Sequence, residues 1–309
     1  MSAVTLPPSP KGLQPGMDHN LYPYSAAPDR PRIVWPGGAG LAAMVLVHLE
    51  YWELEPPEGS RRDPRFQGAF GTFFPDYTAF TQREYGNRVG IFRLLEVLDR
   101  YKLPLAVAAN AAALERYPAI VDQLVLRGVE FVASGTHANR MITSQMSLGD
   151  HRTLITESRD AVARITGQTP RGWAGPGQGE TPETPGLLAE LGFTHVLDWP
   201  NDDQPYPLLT TPPLLSIPRQ PEWDDVESMW LRRVGGEAWA EAAVGAFEVL
   251  RAEGADAGRS YCLSLHPWVI GQAHRIDYLD DILRRITPQS EGVWWTTPAA
   301  VTDHIQSSS

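Results

Sequence analysis

Residues 41–49 form a run of apolar and small residues interrupted only by His48. A run of this kind suits a strand buried on both faces, the environment of a parallel sheet sandwiched between other layers. Parallel strands need long crossovers, usually helices. Helical and strand-like stretches do alternate along the rest of the chain. Helices are expected over 89–101, with Ile91, Leu94, Leu95 and Leu98 on one face, and over 111–127, 147–166, 185–191, 236–251 and 276–286. Gly128, Gly167 and Gly192 follow three of them as stops. Short strands are expected over 103–108, 129–133, 172–174, 193–197, 214–217, 260–265 and 293–295. About seven strand–helix units favour a closed or nearly closed barrel over an open sheet. No repeat of 20 to 50 residues interrupts the pattern.

The chain has 309 residues, enough for one large core. Residues 1–32 are rich in Pro, Ser and charge and read as an extended arm; the barrel is expected over 33–309. Residues 54–84 show no period but many aromatics, including Phe66, Phe70, Phe73, Phe74, Tyr77 and Phe80, so a long ordered loop is expected. The net charge of −11 argues against nucleic-acid or anionic-membrane partners. A single cysteine, Cys262, rules out an intrachain disulfide and fits a cytoplasmic setting. No basic segment followed by an apolar run marks a signal peptide, and no stretch of about 18 apolar residues marks a membrane span. A small-molecule substrate and a homo-oligomer are expected, since the aromatic loop could cover a neighbour's site as easily as its own.

In a parallel α/β barrel the chemistry sits where strands end. There the sequence places His48 and Glu50, then His137, then Asp198 with Asp202, then His266. Alternation points His48 and Glu50 to one face, and Cys262, Ser264 and His266 likewise, while Val47, Leu49, Leu263 and Leu265 face the other way. A charge at a strand end is ordinarily solvated, and a histidine there is ordinarily a satisfied core residue. Convergence from several strands favours function for Glu50 and His266. Gly175-Pro176-Gly177-Gln178-Gly179 is glycine-rich but lacks the Lys-Ser/Thr of a phosphate loop and reads as a substrate loop or turn. Ser264 and His266 are too far apart along one strand for a Ser–His nucleophile pair.

Several segments together resemble the polysaccharide deacetylase superfamily, and within it the metal-independent allantoinase-like and cyclic-imide-hydrolase-like branch. They include Trp35-Pro36-Gly37-Gly38-Ala39, the strand ending at Glu50, Arg83-Glu84-Tyr85-Gly86-Asn87-Arg88-Val89-Gly90, Ser134-Gly135-Thr136-His137-Ala138-Asn139-Arg140, Gly172-Trp173, Asn201–Tyr206 and Ser264-Leu265-His266-Pro267. The resemblance implies a single-domain deformed (β/α) barrel. Metal-dependent members carry an Asp-Asp pair after the first strand and an H-x-x-x-H motif. This chain has Leu49-Glu50 and, in place of the second histidine, Met141. A thioether is a poor ligand for a water-activating zinc, so no cofactor is expected.

The branch implies hydrolysis of an amide-like C–N bond in a small ring such as a cyclic imide or ureide. Glu50, with His137, would activate water, and His266 would protonate the leaving nitrogen. Arg140 is a candidate oxyanion donor and Trp173 a candidate pocket wall. His48, Tyr85, Arg88 and Asp202 complete the expected substrate contacts. Two rivals stay open: a metal deacetylase site built from His48, Glu50, His137 and His266, and a non-catalytic barrel that binds a small ligand.

Overall fold

The structure, a computed structural model, describes residues 17–57, 65 and 74–308. Strand β1 is Leu41–Leu49, as its composition predicts, and every residue in it is buried. After the loop come α1 (Tyr77–Tyr85), a π-helical turn over Gly86–Gly90, and α2 (Ile91–Tyr101). The long ordered loop expected over 54–84 gives way at its end to a helix, begun by Asp76, whose side chain accepts the Ala79 N–H. Phe66, Phe70 and Phe73 lie outside the described residues.

β2 (Ala106–Ala109) leads to α3 (Ala111–Arg116) and α4 (Pro118–Leu126). A single helix over 111–127 is therefore broken, because Pro118 removes a backbone donor and pushes Tyr117 out of helical geometry (φ −121°, ψ 59°). There follow β3 (Glu130–Ala133), α5 (Leu148–Thr166), β4 (Gly172–Trp173), α6 (Thr184–Glu190), β5 (His195–Val196), β6 (Tyr206–Leu208) and β7 (Leu214–Ser216). The chain closes with α7 (Gly236–Ala257), β8 (Arg259–Leu265), α8 (Ile276–Ile286), β9 (Val293–Thr296) and α9 (Pro298–Ser308). Ser147 caps α5 by accepting the Asp150 N–H, and Gly167 ends it at φ 74°.

Among the described residues the strands form one sheet in the order β6-β7-β5-β4-β3-β2-β1-β8. All pairs are parallel except β6 with β7. β9 pairs with the first half of β1, on the edge that β2 takes over at Leu46. The result is a single-domain α/β half-barrel. β8 and β6 do not pair, and the seam between them is covered by loops. Asp203 O accepts the Ser260 N–H at 2.8 Å, and Trp223 Nε1 donates to Cys262 O at 2.9 Å. The open edge of β8 is thereby satisfied without a ladder.

Alternation divides the core in two. Val45, Val47, Leu49, Val107, Phe131, Ala133, Trp173, Val196 and Leu263 face outward into the helix layer. Ala42, Met44, Leu46, Ala106, Ala108, Val132, Ala174, Leu197, Leu215, Ile217 and Cys262 fill the lumen. Trp35 and Val301 plug its lower end. The apolar face of α2, with Leu94, Leu95 and Leu98 buried, contributes on the order of 1.5–3 kcal/mol per side chain to the outer core.

The π-helical turn has a local reason. A Cβ at Gly86 would meet the Trp268 backbone nitrogen at 2.7 Å, and one at Gly90 would meet Pro267 O at 2.1 Å. Both glycines let this turn lie directly on the segment that follows His266. Residues 17–32 run over the surface near β6: Leu21 O accepts the Leu209 N–H, Tyr22 packs on Trp199 and Tyr206, and Arg30 pairs with Asp202 at 2.5 Å. No helix among the described residues is long and apolar enough to cross a membrane.

Candidate active site

The lumen is apolar until its last layer. His48 and Glu50 continue the inward series of β1, Ser264 and His266 that of β8, and Arg219 that of Leu215 and Ile217. Of these, His48, Glu50, Arg219 and His266 line a small pocket that is open to solvent and walled by Trp52, Trp268, Arg65, Pro176, Gly177 and Gln178. The register places His48 beside His266, and their rings stack at 4.0 Å with planes 5° apart.

His266 is the electrostatic centre. Its Nδ1 lies 2.7 Å from Asp225 Oδ1, and its backbone N–H donates to Asp225 Oδ2 at 2.9 Å. Nε2 is thereby turned to the pocket, 3.9 Å from Glu50 Oε1. Burial pulls the imidazole towards its neutral form, but Asp224, Asp225 and Glu50 together outweigh this and push it up to about 9. Burial pushes the Asp225 carboxyl up to about 6, with the His266 charge working against it. At neutral pH the pair is an imidazolium–carboxylate dyad. His48 has the opposite fate: burial, then the charges of His266 and Arg219, hold it well below its ordinary value. It is neutral, with Nε2 3.0 Å from Ser264 Oγ.

Asp224 is held ionised: against the effect of burial, His266 and Arg219 lower its carboxyl. Arg219 donates to Asp224 Oδ2 at 3.0 Å, to Ser264 Oγ at 3.2 Å and to Leu197 O at 3.2 Å. Behind it, Asp198 accepts the Gly175 N–H and neighbours Glu180. Burial pushes Asp198 up to about 6, and burial with the Asp198 charge raises Glu180 well above a normal carboxylate. The Glu50 backbone is fixed from a neighbouring element, where Asn87 Nδ2 donates to its carbonyl at 2.7 Å.

The expected site residues do not all meet here. The pocket collects Glu50, His266 and His48. His137 lies one residue away from it: Ala138 lines the pocket, while His137 lines a separate cleft with Arg140, Arg116 and Glu157. Its Nε2 is 3.6 Å from Glu53 Oε1, and burial lowers its pKa, opposed by Glu53 and aided by Arg140. Arg140 grips Glu53 through two bonds of 2.8 and 2.7 Å and faces away from the reacting centre. Trp173 is fully buried in the outer core against Phe193, because strand alternation gives the lumen to Gly172 and Ala174. Tyr85 lines another cleft and accepts a bond from Arg93, and Arg88 is exposed. Asp202 is a structural partner of Arg30 and of the backbone at 203 and 204.

The sequence reading assigned no role to Arg219, Asp224, Asp225 or Trp268. Arg219 was legible as the inward continuation of Leu215 and Ile217. The Asp224–Asp225 pair lies in an irregular segment with no period to orient it.

Residues 84–196 match the profile of the polysaccharide deacetylase family. The likeness to solved structures extends over most of the chain. The crystal structure of Puue allantoinase superposes with a TM-score of 0.80 at 25% identity, covering 93% of this chain and 98% of that one. That of a probable polysaccharide deacetylase from Pseudomonas aeruginosa PAO1 gives 0.79 at 25% identity with the same coverage. A Schizosaccharomyces pombe (strain 972 / ATCC 24843) protein, described on inference as a polysaccharide deacetylase, is 26% identical over 296 residues, 85% of this chain and 89% of its own.

The metal ligands implied for deacetylases would fall on Glu50, His137 and Met141. Among the described residues these do not converge. His137 faces Glu53, and the Met141 thioether lies against Gly177, where an added Cβ would sit 3.1 Å from the sulfur. The ligand atoms of His48, Glu50 and His266 do lie within 4.8 Å of one another. Histidine binds a metal in the plane of its ring at about 2.0–2.1 Å. Two parallel rings stacked at 4.0 Å have no common in-plane point, so one ion cannot satisfy both. In the second acidic group, Asp225 is engaged by His266, and Asp224 by Arg219 and the amides of Val226 and Glu227. The donor set does not fit a resident divalent ion.

Proposed function

We propose that this chain is a metal-free hydrolase of amide-like C–N bonds in small rings, a cyclic imide or ureide being the substrate class. The observation that carries the reading is the Asp225–His266 dyad facing the Glu50 carboxylate across a small pocket. Glu50 Oε1 accepts a proton as the water oxygen bonds to the ring carbonyl carbon. Arg219, which lines the pocket, offsets the charge that grows on the carbonyl oxygen. His266 Nε2 then delivers its proton to the departing nitrogen as the C–N bond breaks, and Asp225 stabilises the imidazolium beforehand. The products are a carboxylic acid and an amine or amide at the opened ends of the ring.

General acid and base assistance supplies about 10²–10⁴-fold. An activated ring carbonyl needs less help than an unstrained acetamide, which favours imides and ureides. The likeness to an allantoinase structure supports the same class. A second reading, deacetylation of an N-acetyl sugar by the same acid and base, is favoured by the domain match and by the Pseudomonas structure. The test is turnover by purified protein of hydantoin, succinimide, allantoin and N-acetylglucosamine oligomers, before and after chelation. Ring opening that survives chelation is expected. Acetate release that a chelator abolishes would overturn the proposal.

A further inference from the structure

The two oxygens of Glu50 have unequal surroundings. Oε2 accepts from Trp52 Nε1 at 3.0 Å and from Trp268 Nε1 at 3.2 Å. Oε1 faces His266 Nε2. Each indole belongs to the residue two places beyond a pocket residue, Trp52 after Glu50 and Trp268 after His266. Neither ring is held by β-ladder bonds, since both lie past the ends of β1 and β8. Their orientation has another source.

Arg83, on α1, is 6% exposed, a rare degree of burial for a guanidinium. It lies over the Trp268 ring at 3.7 Å, with the Trp52 ring at 4.8 Å and the Trp230 ring at 5.3 Å. Trp230 meets Trp268 edge-on at 5.2 Å. Arg83 Nη1 donates to Gln82 Oε1 at 3.2 Å, which restricts rotation of the guanidinium plane. A guanidinium on a ring face is attracted by the ring quadrupole, most strongly for Trp and in a desolvated setting. One side chain therefore sets the tilt of both indoles that hold Glu50.

We propose that Arg83 is a positioning residue for the reaction: its guanidinium clamps Trp52 and Trp268 so that their N–H groups occupy Glu50 Oε2 and leave Oε1 alone as the base. The inference rests on the proposed role of Glu50.

The test uses the full chain and the ring substrate it turns over best. Arg83→Met should lower kcat by tenfold or more with KM within about twofold. Arg83→Lys, which restores the charge without the planar stack, should recover part of kcat. Trp268→Phe keeps the ring and removes the N–H, so it should also lower kcat selectively, and it tests the idea if Arg83→Met does not fold. Unchanged kcat in soluble Arg83→Met or in Trp268→Phe overturns the inference while Glu50→Gln is inactive. Equal losses in Arg83→Lys and Arg83→Met, with KM rising as kcat falls, would mean a merely structural role and also overturn it. Full activity in Glu50→Gln is a different failure, that of the underlying site.

Discussion

Replacing Asp225 by Asn removes one charge and nearly preserves shape, so it isolates what the carboxylate does to His266. The two groups are 2.7 Å apart and fully buried. His266 stands at about 9 instead of the ordinary 6.5 because Asp224, Asp225 and Glu50 overcome burial. At about 1.4 kcal/mol per pH unit, that difference is worth about 3 kcal/mol of preference for the imidazolium. In Asp225→Asn only Asp224 and Glu50 remain, each 3.9 Å from a ring nitrogen. The alkaline limb of kcat/KM, near pH 9 in the native enzyme if His266 is the acid, should fall by at least about one pH unit towards 6.5. Stability should follow with a defined sign. The folded pKa lies above the unfolded one, so the contribution is fully present below about pH 6.5 and is lost as pH rises through about 9. Urea unfolding should find Asp225→Asn weaker at pH 6 by at least about 1.4 kcal/mol, the equivalent of one pH unit, with the gap closing above pH 9. An alkaline limb that stays near 9 in the variant, or a gap that widens with pH, would refute the reasoning.

Glu50→Gln keeps an oxygen for the two indole donors, so its melting temperature should stay within a few degrees while turnover drops by about 10²–10⁴-fold or more; a progress curve and a thermal scan check both halves. Arg140→Ala should change kcat/KM less than about threefold, because Arg140 is occupied by Glu53 outside the pocket; steady-state kinetics decide, and a hundredfold loss would return Arg140 to the site. Gly90→Ala forces a Cβ to within 2.1 Å of Pro267 O, so unfolding should show a loss of several kcal/mol, about 2 or more. Chelation followed by metal analysis should leave the rate unchanged, because the parallel His48 and His266 rings offer no shared in-plane point for an ion.

Period-two alternation fixes side as soon as a strand is recognised, and this made much of the site legible in the sequence. The apolar run of β1 pointed to a parallel sheet, and the parity of His48 with Glu50 and of Ser264 with His266 gave the inward face. The same rule would have turned Trp173 outward, since its neighbours Gly172 and Ala174 are the small residues that a lumen can hold. Loops have no period. Whether His137 or Ala138 meets the pocket depends on the turn at Gly135 (φ 70°) and on the bond from the Ala138 N–H to Tyr51 O. The Asp224–Asp225 pair reads as two surface acids until the fold brings it against His266 from 41 residues away. Sequence alone thus determined the barrel, the inward strand ends and the break in the H-x-x-x-H pattern. Only tertiary structure decided which charges share a dielectric interior, and that environment, more than residue type, makes His266 an acid and His48 a neutral neighbour.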